Sequence, residues 1–129
     1  MTGHHLAVGD HVRAAYKTGE YIGEVVELSG SAKVAVKILA VRTHPTQGDL
    51  HHPNDGGVAF FHQRRALAFQ EIALMPLTTI KPFTGNVPAY QDSLKRAFEA
   101  QVQELSNLHE WSKRSLQELE QLQAEYFPE

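Results

Sequence analysis

The residues best suited to chemistry are concentrated in one stretch of the chain, from Thr43 to His62. This stretch holds four of the protein's eight histidines, together with two acids, two prolines and three glycines. Imidazole and carboxylate groups are ligands of zinc, iron, nickel and manganese, so this composition allows a metal site. The candidate metal ligands are His44, Asp49, His51, His52, Asp55 and His62.

The spacing of these candidates argues against a metal site. It matches neither the HExxH motif nor a facial triad, and the adjacent His51 and His52 would point in opposite directions in an extended chain. We therefore favour histidines that hydrogen-bond to the backbone and hold the shape of the loop. A metal-binding protein or metal-dependent enzyme that uses the His44–His62 loop is the alternative.

Acid–base catalysis would require a base and a group that orients it. Asp49 with His51, or Asp55 with His62, offers such a pair. The sequence contains no GxSxG or SxxK motif to supply a nucleophile, and its adjacent glycines are not followed by the Lys-Ser/Thr of a phosphate loop. We predict no catalytic residue, no cofactor and no enzymatic activity.

Short strands are predicted on both sides of this stretch. The alternation over Lys33–Ala40 gives one apolar face and one face with two lysines, as in a half-buried strand. Gly23, inside another predicted strand, indicates a bulge or tight bend. The remaining predicted strands are Val12–Tyr16, Glu20–Leu28, Arg65–Phe69 and Leu77–Lys81. Five short strands and one long loop, residues 43–59, predict a small SH3-like antiparallel β-barrel over residues 6–82.

The C-terminal third has helical periodicity. Pro88 suits the first position of a helix, and large apolar residues then recur at spacings of three and four. Continuing this pattern would place Ser112 and Ser115 in a core, so a break near residues 106–109 is expected. The sequence therefore predicts a helical hairpin over residues 88–127, packed on or beside the barrel, and an α+β fold overall. Trp111 would anchor the hairpin or dock it on the barrel.

Composition excludes several classes of protein. Apolar residues make up 42% and charged residues 21% of the chain, as in globular proteins. There is no cysteine for disulfides, thiolate chemistry or a lipid anchor. With a net charge of −3, the chain does not show the strongly basic face that nucleic-acid binding usually requires. With no secretory signal apparent near the N-terminus, we expect a cytoplasmic protein.

The adjacent Phe60 and Phe61 allow two interpretations. Burial of both rings in the barrel core is the favoured one, because large aromatic side chains usually contribute to cores. In the alternative, one ring closes the core and the other is exposed as an anchor for a partner.

Several stretches with an unusual residue order extend over nearly the whole chain. They are Tyr16–Glu24, Thr43–Pro45 with Gln47–Pro53, Phe60–His62 with Arg65–Ala68, Lys81–Phe83 with Val87, Pro88 and Tyr90, and Glu110–Trp111 with Lys113–Leu116. In these stretches the sequence resembles kinase-associated protein B, a small family of spore-forming bacilli.

The resemblance implies an SH3-like barrel followed by helices. It also implies a signalling pathway, but no chemical reaction. It implies a non-enzymatic regulatory or adaptor protein associated with a sensor histidine kinase that feeds the sporulation phosphorelay. Contact with the inner face of the membrane would then occur only through the kinase, and self-association is left open. We expect binding through the loop, the exposed face of the hairpin, or both. The candidate partner-binding residues are His44, Pro45, Asp49, Leu50, His51, His52, Phe60, Phe61 and His62.

Overall fold

A computed structural model describes residues 6–28, 30 and 32–128. Its main element is an antiparallel sheet of five strands in the order β4-β3-β2-β1-β5, and one long helix follows the sheet in the chain. The elements are β1 (His11–Tyr16), β2 (Gly19–Leu28), β3 (Lys33–Thr43), β4 (Ile72–Pro76), a one-turn 3₁₀ helix (Leu77–Thr79), β5 (Lys81–Pro82) and α1 (Tyr90–Tyr126).

The core lies on one face of this sheet. Val34, Val36 and Ile38 of β3 are buried, which confirms the apolar face predicted for that strand. They pack with Tyr21 of β2 and Met75 of β4, both fully buried. Because successive side chains of a strand point to opposite faces, the alternation in β3 was sufficient to identify its buried side.

The irregularity predicted at Gly23 is present. The register between β2 and β3 shifts between Ile22 and Gly23. A Cβ atom on Gly23 would collide with the side chain of Val36 and would lie 2.6 Å from the Lys37 carbonyl oxygen. Glycine is required here because the neighbouring strand approaches too closely for any side chain.

The prediction of a closed barrel is wrong. Within the described residues, β4 and β5 are the two edges of the sheet and do not pair with each other. β5 pairs with β1 through only two residues, Lys81 and Pro82, and a proline has no N–H to extend the ladder. The predicted strand Arg65–Phe69 is also wrong, since these residues have no regular structure. The strand predicted at Leu77–Lys81 is mostly replaced by the 3₁₀ helix and the short β5.

The predicted helical hairpin is wrong as well. α1 is a single helix of 37 residues, which continues through the expected break at residues 106–109. No glycine or proline interrupts it, and most of its residues favour helices. Trp111, the expected anchor of the hairpin, is 67% exposed. Because the apolar side chains here are exposed, serines at positions 112 and 115 do not oblige the helix to break.

The structure comprises two compact units, Met1–Phe98 and Glu99–Glu129. The first unit contains the sheet and the first turns of α1. There Ser93 is buried, and its hydroxyl accepts a hydrogen bond from the Val41 N–H (2.9 Å) and donates one to the Tyr90 carbonyl (2.8 Å). Ala97, one turn later, belongs to the core. The second unit consists of the rest of α1 and the residues after it. Among the described residues, no helix has the length and apolarity needed to cross a membrane.

Candidate functional site

The His44–His62 loop is closed at its base by the side chain of Gln47. The Gln47 amide donates a hydrogen bond to the Arg64 carbonyl (2.9 Å) and accepts one from the Arg64 N–H (2.8 Å). This pair imitates the two hydrogen bonds of an antiparallel bridge. The backbone adds a bond from the Gly48 N–H to the His62 carbonyl (2.9 Å). Together these bonds form the loop clasp, between residues 47–48 and 62–64.

Arg64 extends the clasp with its side chain. The Arg64 Nε–H donates to the Gly48 carbonyl at 3.1 Å. Gly48 has φ +100°, a conformation that favours glycine, and a Cβ there would lie 2.8 Å from the ring of Phe61. The clasp therefore depends on glycine both for its backbone conformation and for the close approach of an aromatic ring.

The loop and the segment after it are tied by hydroxyl groups to the turn between β1 and β2, to β2 and to α1. The Thr46 N–H donates to the Thr18 hydroxyl (2.8 Å). The Tyr21 hydroxyl accepts from the Leu67 N–H (3.2 Å), and the Tyr90 hydroxyl donates to the Leu67 carbonyl (2.5 Å). Burial raises the pKa of Tyr21, and burial also raises that of Tyr90. Both tyrosines therefore remain protonated near neutral pH, so the Tyr90 hydroxyl keeps the proton that it donates.

His44 and Pro45 lie at the start of the loop, on its inner side. Pro45 is buried, and its carbonyl is 3.1 Å from His44 Nδ1. The His44 ring makes a T-shaped contact with the ring of Phe98 in α1, with ring centres 6.1 Å apart and planes at 79°. Such an arrangement of a histidine is typical of a structural role, and it agrees with the interpretation favoured for the loop histidines.

Asp49 organises a tight turn with the two histidines that follow it. Its carboxylate accepts hydrogen bonds from the His51 N–H (2.9 Å) and from His52 Nδ1 (3.1 Å). The His52 N–H also donates to the Asp49 carbonyl (3.1 Å). The hydrogen bond from the His51 N–H, and after it the one from His52 Nδ1, lower the pKa of Asp49 below its ordinary value.

The candidate metal ligands are not brought together. Asp49 and His52 meet, but His51 contributes only its backbone N–H to the turn. Within the part of the chain that the structure describes, no group of three or more His, Cys, Asp or Glu side chains is arranged to hold a metal ion. The metal-site hypothesis gains no support from this geometry.

The favoured burial of both phenylalanines is wrong. Phe60 is 75% and Phe61 58% exposed. The ring of Phe60 stacks on that of His62, with centres 6.3 Å apart and planes at 18°, and Phe61 lies against Gly48. The rings are held by the clasp and the adjacent histidine outside any core. The loop thus has an internal hydrogen-bonded frame and an exposed aromatic edge, formed by Phe60, Phe61 and His62.

This arrangement is suited to recognition. The aromatic edge offers apolar area with little freedom left to lose on binding. In the same loop His51 and His52 are also exposed, while Leu50 is half-buried. Two candidate binding residues, His44 and Pro45, are better explained as support for the loop.

Comparison with known proteins identifies the family of this chain. The family model of kinase associated protein B matches residues 16–127. The chain belongs to the kinase-associated protein B family. A relative from Bacillus subtilis (strain 168), kinase-associated lipoprotein B, is 46% identical over 123 residues, covering 92% of this chain and 93% of the relative.

A solved structure supports the same assignment. The X-ray crystal structure of kinase-associated protein B from Bacillus cereus superposes with a TM-score of 0.67 at 36% identity, covering 95% of this chain and 98% of that one. The kinase-associated protein B fold of this chain is therefore an α+β arrangement of a five-stranded antiparallel sheet and one C-terminal helix.

Several residues that form the site were not identified from the sequence. Gln47 and Arg64 close the loop, and Thr18 and Tyr21 tie it to the sheet. Gln47 immediately precedes Gly48, and a polar residue next to a glycine at the base of a long loop is a weak sequence signal for such a clasp. Its partner lies seventeen residues later and is not predictable from spacing.

Proposed function

We propose that the protein is a non-enzymatic adaptor that binds the cytoplasmic part of a sensor histidine kinase, in the pathway that controls sporulation. Membership of the kinase-associated protein B family supports a kinase partner. In this proposal the kinase is a sensor histidine kinase that feeds the sporulation phosphorelay. The protein would lie at the inner face of the membrane only through that kinase. Its structural support is the exposed pair Phe60 and Phe61 on a clasped loop.

The energetics of exposed aromatic rings favour this choice of contact. A ring that is more than half exposed contributes little to the fold, and its apolar area is available for burial against another protein. Interfaces derive most of their binding energy from a few such anchors, often aromatic, that enter pockets on the partner. Because the clasp already orders the loop, little conformational entropy remains to be lost.

The kinase is first identified by recovering it together with the protein from sporulating cells. The test then measures how tightly its cytoplasmic part binds three purified full-length proteins: the unchanged protein, Phe60→Ala and Phe127→Ala. We expect Phe60→Ala to weaken binding by about tenfold or more, because removal of an interface anchor typically costs about 2 kcal/mol. Phe127→Ala is the matched control, since Phe127 is 73% exposed but lies far from the loop in sequence. It should bind like the unchanged protein.

The possible failures separate the parts of the proposal. Unchanged binding by Phe60→Ala would refute the aromatic edge as the contact while leaving the kinase as partner. Absence of any saturable binding by the unchanged protein would refute the partner itself. Metal analysis of the same purified sample addresses the alternative function, and a stoichiometric metal would favour it.

A further inference from the structure

The second unit carries an apolar stripe that is exposed along its length. Large apolar residues recur at spacings of three and four on one side of α1, interrupted at Ser112 and Ser115, and six of them are between 47% and 65% exposed. We call them the helix stripe: Val102, Leu105, Leu108, Leu116, Leu119 and Tyr126. A sustained stripe of this kind on one side of a helix is the pattern by which two helices pack.

Acidic residues follow one edge of the helix stripe. Glu104, Glu118 and Glu125 each come one residue before a stripe residue, and they are separated by multiples of seven. In a heptad pattern these positions share one edge of the packing surface, where charged residues choose the partner. Trp111, 67% exposed, occupies the same edge between Glu104 and Glu118.

The opposite edge offers nothing to balance these acids. Among the described residues of the second unit, the heptad positions on this edge that stripe residues do not occupy hold His109 and Gln123. Neither is a Lys or Arg. The two cationic residues, Lys113 and Arg114, fall on heptad positions away from both edges. Over Glu99–Glu129 there are seven acids against those two cations.

A second copy of this chain is therefore a poor occupant of the stripe. In a parallel pair, Glu104 would face His109 and Glu118 would face Gln123 of the other copy, so neither acid would meet a Lys or Arg. In an antiparallel pair, the two acidic edges would face each other. Like charges placed in this way oppose association.

The centre of the stripe gives a second, steric reason. Ser112 and Ser115 lie on the axis of the stripe, between Leu108 and Leu119, and are half-buried. Two copies packed in parallel would place serine against serine and leave a gap, which costs packing energy. A partner with a bulky side chain at this level would fill it.

We infer that the helix stripe binds an amphipathic helix of another protein, one with Lys or Arg along an edge of its apolar face and a bulky apolar residue at the level of Ser112 and Ser115. Its cations would pair with Glu104, Glu118 and Glu125, and an arginine could also stack on Trp111. This surface goes beyond the loop contact proposed above and does not depend on it.

The experiment uses the full-length protein and two labelled synthetic peptides of four heptads. Both peptides have Leu at the apolar positions, and the edge positions are all Lys in one and all Glu in the other. We expect saturable binding of the Lys peptide and binding of the Glu peptide weaker by about tenfold or more at low salt, a difference that shrinks as salt rises. Replacing the central Leu of the Lys peptide by Ala should weaken binding again.

Two charge-reversal variants make the result specific to the edge. In the variant E104K/E118K/E125K the preference should change to the Glu peptide. The matched control E99K/E110K/E120K changes the net charge equally at heptad positions away from the edge, and it should still prefer the Lys peptide. Circular dichroism checks that both variants remain helical.

Three outcomes would overturn the inference. The first is failure of the unchanged protein to bind the Lys peptide. The second is an equal loss of preference in both charge-reversal variants, which would indicate attraction by net charge alone. The third is a stable dimer of the unchanged protein in sedimentation that dissociates on L108Q/L119Q substitution, because a second copy would then occupy the stripe. None of these results depends on the kinase or on Phe60.

Discussion

β3 and the loop that follows it are continuous in the chain but are held in place by different forces. In β3, Val36 and Ile38 are fully buried in the core. In the His44–His62 loop, Gln47 and Asp49 supply hydrogen bonds that fix the backbone, while Phe60 is left exposed. The comparison shows that buried apolar side chains stabilise the sheet of the first unit. In the loop, polar side chains fix the backbone and leave the apolar residues available for binding.

The largest expected effect is a difference in the free energy of unfolding between one side-chain truncation in β3 and one in the loop. Ile38→Ala should lower the free energy of unfolding by about 2–5 kcal/mol, because it removes one methylene and two methyl groups from the core and leaves a cavity. Phe60→Ala, although it removes more atoms, should change it by less than about 0.5 kcal/mol, since the ring is 75% exposed. Urea denaturation measures both values. Equal losses would mean that the phenylalanine contributes to stability and would weaken its assignment as a binding residue.

A smaller effect is expected when the loop clasp is removed. Gln47→Ala leaves the Arg64 N–H and carbonyl without their side-chain partner and should destabilise by about 1 kcal/mol. The loss should be local, with faster amide hydrogen exchange at Arg64 and Gly48 and little change in β3. Gln63→Ala is the matched control because Gln63 is exposed. Faster exchange throughout β3 in Gln47→Ala would show that clasp and sheet are one cooperative unit.

The smallest expected effect is a pH dependence confined to the turn at Asp49. The pKa of Asp49 is lower in the folded protein than its ordinary value of 3.8. The turn is therefore favoured at and above that value, and this contribution is lost as pH falls through the lower folded pKa. Titration of the Asp49 carboxyl by NMR should give this depressed pKa. His52→Ala should move it upward by removing one donor, and His62→Ala should leave it unchanged.

The sequence alone was sufficient for the features that depend on local pattern. The buried face of β3 follows from alternation, and the bulge at Gly23 follows from a glycine within a strand. The unusual residue order of whole segments was sufficient for the family. In each case the signal lies in residues that are adjacent or near one another in the chain.

The tertiary structure decided the features that depend on distant residues and on burial. Whether the sheet closes depends on the edge strand at Lys81–Pro82, which pairs through two residues only. Whether α1 breaks near residues 106–109 depends on whether its apolar side must be buried, and the stripe residues are exposed. The clasp joins Gln47 to Arg64, and within the loop that it closes Phe60 and Phe61 are exposed. Periodicity reports which side chains are apolar, but only the packed structure determines which of them lose contact with water.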